Sequence, residues 1–565
     1  MKMKIKNNYI DIIIIVLIII ASIFKIKVGI DNDEGYIISL GARFLQGDHL
    51  FKEVWDLYQT CTLPIVFFMN IYKFFTGGLI GVAIFLRTIT TIIQISVAIL
   101  YYYILKPYYK NTKWVCYIIA LITPRFSQNL CYGFCGFTGI LLCIIIIFYI
   151  SKNIDKISKA KLVVFSILSA LSLSEAVLGY PTFALTFIPI SIFLLSNINK
   201  NKNYFKLFLY ITVTCLLCAT AYILFVLQNV TFDEMLHNFF YGMMSDESHN
   251  GGNMISSAIR VITYIRSDHI MVGYLNTIFA LILLLFINKI KLFNIKINLL
   301  LSLLFVSSLA FILMNVTGLR YSGPLGMNLR WLLFALASFT LYFKYRADHE
   351  MFWLFGIVGI VMFFAVTLVT NLGLAATSSF LMITVLGAIL LFGEEKNITP
   401  VIQNIILFVF IFSLIMTKGF TVRINGCGPA NILEKREVID FGVLKDIYEY
   451  PSNVKRDIEI NQEFNERTTN DDLVLIMTNE PIYNLFGDFK FTGLTIVPDH
   501  VYSERWVSYY RDYDYGFPTK VFIDKALFTW DDLSQNNPLI KYLINYMKPD
   551  SFYESNNFYS FECVN

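Results

Sequence analysis

The sequence predicts an all-α polytopic membrane protein of about 13 transmembrane helices with a small C-terminal extracytoplasmic α/β domain. Three observations predict it. Of the 565 residues, 56% are hydrophobic and only 15% are charged, where an ordinary soluble protein has about 25% charged residues; the mean hydropathy is +0.61. Apolar runs long enough to cross a bilayer recur from residue 10 onward, each approaching the ~20 residues a helical span needs. After Thr417 charged residues become common and Gly426, Gly428 and Pro429 form a linker. Together these exclude a soluble enzyme. A formal charge of +4, spread over short loops, also excludes nucleic acid as a partner.

The first run, "IDIIIIVLIIIASIF" from Ile10, follows the basic segment "MKMKIKNN" and ends in "KIKVGIDNDEGY". That end lacks a small-residue cleavage site, so the run is a retained span rather than a signal peptide. Basic loops set the topology, because Lys and Arg stay on the cytoplasmic side. These loops are the N-terminus, 106–113, 152–161, 200–206, 289–296, 344–346 and the stretch around Lys396. Placing them inside gives spans at 9–28, 79–105, 114–126, 133–150, 162–178, 181–196, 207–228, 270–287, 297–317, 327–343, 351–371, 374–392 and 401–417. The N-terminus is then cytoplasmic, and an odd count puts the C-terminus outside the cytoplasmic membrane. Pro124 and Pro181 break two apolar hairpins, 114–150 and 162–196, whose turns fall within the depth of the membrane, where backbone must be lined by protein.

Residues 1–417 thus form the membrane domain and 418–565 the extracytoplasmic domain. Residues 29–63 read as the first outer loop, 64–76 as an interfacial amphipathic helix and 229–269 as a Gly- and Ser-rich mobile outer loop. In the C-terminal domain, strands are expected at 473–478, 493–498 and 520–524, with helices near 434–449, 480–487 and 537–547. Most of the nine cysteines lie in apolar runs, where a thiol is a small buried hydrophobe. Cys427 and Cys563 are both placed outside, and their pairing stays open. Richness in Ile, Lys and Asn points to an AT-rich bacterial genome.

The segment with most chemistry is "GIDNDEGYIISLGARFLQGDHLFKEVWDLYQTCTLP", residues 29–64. It sets Asp31, Asp33 and Glu34 where the first span emerges. A carboxylate costs about 2.5–3.5 kcal/mol at the bilayer centre and far less at the interface, so spacing alone reads these acids as solvated loop residues.

The Asp-Glu pair, then "GARFLQGD", "VWD" and a helix opened by Pro64, resemble the first outer loop of the GT-C membrane glycosyltransferases. That group includes the protein O-mannosyltransferases and the lipid A aminoarabinose transferases, and the nearest likeness is to bacterial relatives that glycosylate cell-surface polymers. The resemblance spans roughly residues 9–420 and is most specific over 30–64. It implies an inverting transfer of a sugar from a polyprenyl-phosphate donor to a hydroxyl of a surface glycan, polymer or lipid at the outer face of the cytoplasmic membrane. It also implies that Asp33 is the general base, Glu34 a helper in metal or hydroxyl binding, and Asp31 the competing candidate. One base suffices, because a lipid phosphate leaves without protonation by a second acid, unlike the paired carboxyls of a glycosidase.

Developing charge on the phosphate calls for cations. In "GLRYSGPLGMNLRW" the Arg-Tyr pair resembles the family's motif ahead of a late span, which points to Arg320 and Tyr321 on the donor phosphate, with Arg330 and Arg87 in support. Arg125, Arg260 and Arg266 are weaker candidates, and interfacial snorkelling is the structural alternative for all of them. Aminoarabinose-type relatives carry a further acid between the third and fourth spans, but "RFSQNLCYGFCGF" has none. No cofactor is therefore certain; a divalent cation stays open, with Glu34 and Glu175 as its candidate ligands. Trp55, Asp56 and Tyr58, with Gln59, are candidates for an acceptor platform, since sugar rings stack on aromatic faces; Trp and Tyr also serve as interfacial belt anchors.

The C-terminal domain has no GxSxG, P-loop or GxGxxG motif, so it is expected to cap the cavity or touch the acceptor. Two rivals remain at this stage. A polysaccharide ligase or polymerase shares the many spans, and a secondary transporter would want polar mid-span residues in two matching halves.

Overall fold

The computed structural model describes residues 2–56, 58–122, 129–243, 304, 308, 324–367, 377–395, 398–416, 435–496, 504–513 and 516–564. Within these, the N-terminal part is helical: α1 (Lys2–Lys27), α2 (Asn32–Gln46), α3 (Thr62–Thr76), α4 (Val82–Leu105), α5 (Thr112–Leu121), α6 (Tyr132–Lys152), α7 (Lys159–Gly179), α8 (Phe187–Ser196), α9 (Asn203–Val226), α10 (Phe232–His237), α11 (Pro324–Lys344), α12 (Val358–Thr367), α13 (Met382–Phe392) and α14 (Pro400–Leu414). Five helices among the described residues are long and apolar enough to cross a membrane: α1 from Tyr9, α4, α6, α7 and α9. Several expected spans are shorter apolar helices, such as α5, and others are broken. A turn at Pro181–Thr186 precedes α8, a π-turn at Met351–Ile357 precedes α12, and a turn at Ser378–Leu381 precedes α13. The expected spans at 270–287 and 297–317 lie outside the described residues, apart from Leu304 and Ser308.

Burial separates central from peripheral helices. Most of α6 is buried, whereas α1 and α9 show apolar side chains such as Ile12, Ile19, Leu216 and Leu217 at the surface. Around α6 the bundle closes on glycines. A Cβ on Gly139 would stand 2.5 Å from the Ser172 carbonyl oxygen, and one on Gly179 would stand 2.6 Å from the Gly136 nitrogen. Small residues let α6 and α7 approach to backbone contact, which is how helices associate where the surroundings are as apolar as their side chains. Loops read as basic are tied by acids at the same end: Lys152 pairs with Asp348 and Glu350, and Lys344 with Glu395.

From Glu437 onward the chain forms an α/β unit. It holds β1 (Glu437–Val438), β2 (Tyr448–Glu449), β3 (Leu473–Met477), β4 (Lys490–Phe491), β5 (Lys520–Asp524), β6 (Tyr553–Glu554) and β7 (Phe558–Glu562), with α15 (Pro451–Arg467), α16 (Glu504–Asp512), α17 (Trp530–Asn536) and α18 (Pro538–Ile544). The main sheet runs β4-β3-β5-β7-β6. β3 is parallel to β4 and β5, and β7 is antiparallel to β5 and β6.

Several expectations are corrected. The helix expected near 434–449 is, from 435 on, the β1–β2 pair: Gly442 and Asp446 have φ of 56° and 70°, which an α-helix does not accommodate. The strand expected at 493–498 is replaced by β4 at Lys490–Phe491, and Gly493 follows it with φ of 137°. The first outer loop is not all loop, because residues 32–46 are the helix α2. The segment from 229 opens on α10, capped by Thr231 and Glu234 in a reciprocal capping box; from 244 onward it lies outside the described residues, as does Cys427. Cys563 is a free, half-buried thiol.

Candidate functional site

The site is built on α2. Asp31 is its N-cap residue, and the Asp31 carbonyl accepts from the backbone N–H groups of Glu34 and Gly35 at 2.9 Å. Asp33 and Glu34 occupy the first turn, where acids complement the helix dipole. Gly47 ends the helix in the left-handed region with φ of 107°, as helices commonly end.

The three acids have different surroundings. Glu34 is 3% exposed and both its oxygens are taken by Arg87, Nε at 2.7 Å and Nη2 at 2.5 Å. Arg87 is fully buried, and its remaining donors reach the carbonyls of Lys25, Ile26, Val28 and Gly29 at 2.5–3.4 Å. The Lys25 and Ile26 carbonyls are among those a helix end leaves unsatisfied and the Val28 and Gly29 carbonyls follow α1, so one guanidinium joins α4, the end of α1 and the approach to α2. This geometry makes Glu34 and Arg87 a clamp between helices. Asp31 is 2% exposed. Asp33 is half-buried, the most open of the three.

A fourth acid, Glu449 at the end of β2, is fully buried beside this clamp. Burial holds its carboxyl above its ordinary range, against the opposing pull of hydrogen bonds from Tyr450, Asn453 and the Ile30 backbone and of the Arg87 charge. Sequence reasoning missed it because 434–449 read as a helix.

Trp55, Asp56 and Tyr58 separate. Trp55 is buried in the core of the sheet domain, edge-on to Tyr509 and Tyr513 with centroids 5.3 and 5.1 Å away, and its indole N–H donates to the Lys52 carbonyl at 2.8 Å. It packs into that domain's core. Asp56 is buried and accepts from the Tyr36 hydroxyl and the Tyr58 backbone. The half-buried Tyr58 stacks on Tyr132 at 4.3 Å and meets Tyr180 edge-on at 5.8 Å. An aromatic face therefore forms where α6 begins and α7 ends, and Thr60 ties it to the Leu178 carbonyl at 2.7 Å. Tyr132 and Tyr180 carried no sequence signal of their own, since both sit in apolar runs. Glu175 lies one turn before the end of α7, half-buried. Arg320, Tyr321, Arg125, Arg260 and Arg266 lie outside the described residues, and Arg330 falls within α11. Among the described residues no group of three or more His, Cys, Asp or Glu side chains is placed to hold a metal ion.

No protein-family model matches the sequence, and no curated protein matches it. Among solved structures the chain is similar to the crystal structure of ArnT from Cupriavidus metallidurans bound to undecaprenyl phosphate. The identity is 12% and the TM-score 0.41, over 98% of this chain and 97% of that chain.

Proposed function

We propose that the protein is an integral-membrane, inverting glycosyltransferase that moves a sugar from a polyprenyl-phosphate donor to a hydroxyl of a cell-surface glycan, polymer or lipid on the outer face of the cytoplasmic membrane. The observation that carries this reading is the graded exposure of the acids at the head of α2. Asp31 and Glu34 are buried, Glu34 is committed to Arg87, and Asp33 is half-buried. The sequence likeness around "DE" and "GARFLQGD" gives the same residue the same role.

In this mechanism the Asp33 carboxylate takes the proton of the acceptor hydroxyl as its oxygen attacks the anomeric carbon. The bond from that carbon to the phosphate oxygen breaks, the phosphate leaves as an anion, and the anomeric centre inverts. Arg320 and Tyr321 are assigned to the departing phosphate on the sequence motif alone. Tyr58, with Tyr132 and Tyr180 behind it, supplies an aromatic face for a sugar ring, and the Glu34–Arg87 pair holds α2 so that Asp33 stays in place.

A transfer assay in membrane vesicles, with radiolabelled polyprenyl-phosphate sugars as donors, tests the assignment. A positioned general base contributes about 10²–10⁴ in rate, so Asp33→Asn is expected to lose that much at unchanged protein level. Transfer at the parental rate by this variant removes Asp33 from the chemistry.

A further inference from the structure

The topology of the sheet domain brings a cluster of polar side chains to the carboxyl ends of β3 and β5. From β3 the chain turns to β4 on one side of the sheet, whereas β5 lies on the other side of β3 and leads on toward β7. The carboxyl ends of two adjacent parallel strands whose connections diverge leave a crevice between them, the place where open α/β sheets bind ligands. Here it is closed at the bottom by the Thr478 hydroxyl donating to Asp524 at 2.9 Å, one residue beyond β3 to the last residue of β5.

The cluster is graded in exposure: Asp457 is 3% exposed and Tyr483 2% exposed, whereas Arg456, Glu480 and Asp524 are half-buried. The Tyr483 hydroxyl has no hydrogen-bond partner among the described residues, although Asp457, Arg456, Glu480 and Asp524 are the charges acting on it. Asp457 Oδ1 and Arg456 Nε likewise have no hydrogen-bond partner among the described residues, and face each other only as a loose ion pair at 4.0 Å. Buried polar groups are almost always satisfied, so an orphan tyrosine hydroxyl next to orphan carboxylate and guanidinium atoms marks a place where a ligand supplies the missing bonds. Burial pushes the carboxyls of both Asp457 and Glu480 up to about 7, against the opposing Arg456 charge; near neutral pH they donate as well as accept.

The donor set selects the ligand. Three acids disfavour an anion, the Arg456 guanidinium among them disfavours a metal cation, and no metal-holding group is present among the described residues. Carboxyl, hydroxyl and guanidinium groups converging together suit paired hydroxyls that donate and accept at once. The cluster also adjoins the head of α2: Asn32 donates to the Asn479 carbonyl at 3.2 Å, and its own Oδ1 has no hydrogen-bond partner among the described residues.

We infer that the carboxyl edge of β3 and β5 binds the hydroxyl groups of an uncharged sugar ring of the acceptor, through Asp457, Glu480, Tyr483 and Arg456. This rests on the glycosyltransferase reading and gives the acceptor a seat on the sheet domain, next to the helix that carries Asp33.

The test is a saturation-transfer NMR titration of the full-length, detergent-solubilised protein, without donor, using methyl glucoside, methyl mannoside, methyl N-acetylglucosaminide and ribitol, with calcium chloride as a separate arm. At least one polyol is expected to bind. Tyr483→Phe and Glu480→Gln each remove one hydrogen-bonding group and should weaken it about three- to tenfold at unchanged unfolding temperature. Polyol binding is read without donor and transfer is read separately in vesicles, so loss of binding in Tyr483→Phe and loss of transfer in Asp33→Asn are separable outcomes. Failure of every polyol, calcium binding alone, or equal polyol binding by all variants overturns the inference.

Discussion

At the scale of single residues, burial decides what each charge does. Arg87 and Glu34 look alike in the sequence as an arginine in an apolar run and an acid after a span, and nothing in either position reveals that they meet across 53 residues. A buried pair of this kind is held by mutual hydrogen bonds and by the α1 carbonyls, and losing one partner strands the other charge. Asp457 and Glu480 show the opposite case. Burial, the largest influence on each, raises their folded-state values to about 7, from about 4 for an unperturbed carboxyl. Between those values the native state holds more protons than the unfolded chain, so stability falls as pH rises from about 4 to about 7 and is level above that. Thermal unfolding of the full-length protein between pH 4.5 and pH 8 is expected to show the sheet domain melting at higher temperature on the acid side. Asp457→Asn should flatten part of that slope; an identical slope in the variant assigns the pH dependence to other groups.

At the scale of elements, the apolar helices were legible and α2 was not, for a physical reason. A surface helix is recognised by an apolar face toward protein and a polar face toward water. In α2 both faces meet protein. Gly41 lets α3 approach, since a Cβ there would stand 2.6 Å from Met69 Sδ. The face bearing Asn32, Ser39, Arg43 and Gln46 hydrogen-bonds the carbonyls of Asn479, Pro481, Gly493 and Phe489 in the sheet domain. Positions 32, 39, 43 and 46 recur at helical spacing, but without a knowledge of the partner they read as polar loop. The α6–α7 seam follows the converse rule, with glycines whose meaning is set by a neighbour some 40 residues away. Gly139→Ala places a methyl against the backbone of Ser172 and Ala176 and is expected to cost about 1–3 kcal/mol. Unfolding in detergent should show a clear drop in midpoint relative to Gly78→Ala, where no atom lies within 4 Å; equal midpoints would mean that the helices part without cost.

At the scale of the whole molecule, the bundle and the sheet domain are joined by the segment between α1 and α3. The Tyr448 carbonyl accepts from Gly29 N–H at 2.9 Å, the Leu494 carbonyl from Trp55 N–H at 2.8 Å, and the Glu53 carbonyl from the Tyr509 hydroxyl at 2.8 Å. The same segment bears Asp33 and Tyr58. Hydropathy alone could show that two kinds of structure exist in the chain. It could not show their junction, because that depends on contacts 400 residues apart. Trp55 contributes an aromatic side chain from the membrane half to the core of the other half. Removing a buried Trp costs about 3–5 kcal/mol, and at Trp55 the loss falls on docking and on the Tyr509 and Tyr513 packing together. Limited proteolysis of Trp55→Ala is therefore expected to release fragments cut after residue 435 at protease levels that leave the wild type whole, while the α6–α7 hairpin stays protected. Uniform cleavage of both halves would show instead that the protein unfolds as one unit and that the junction is no weaker than the bundle itself.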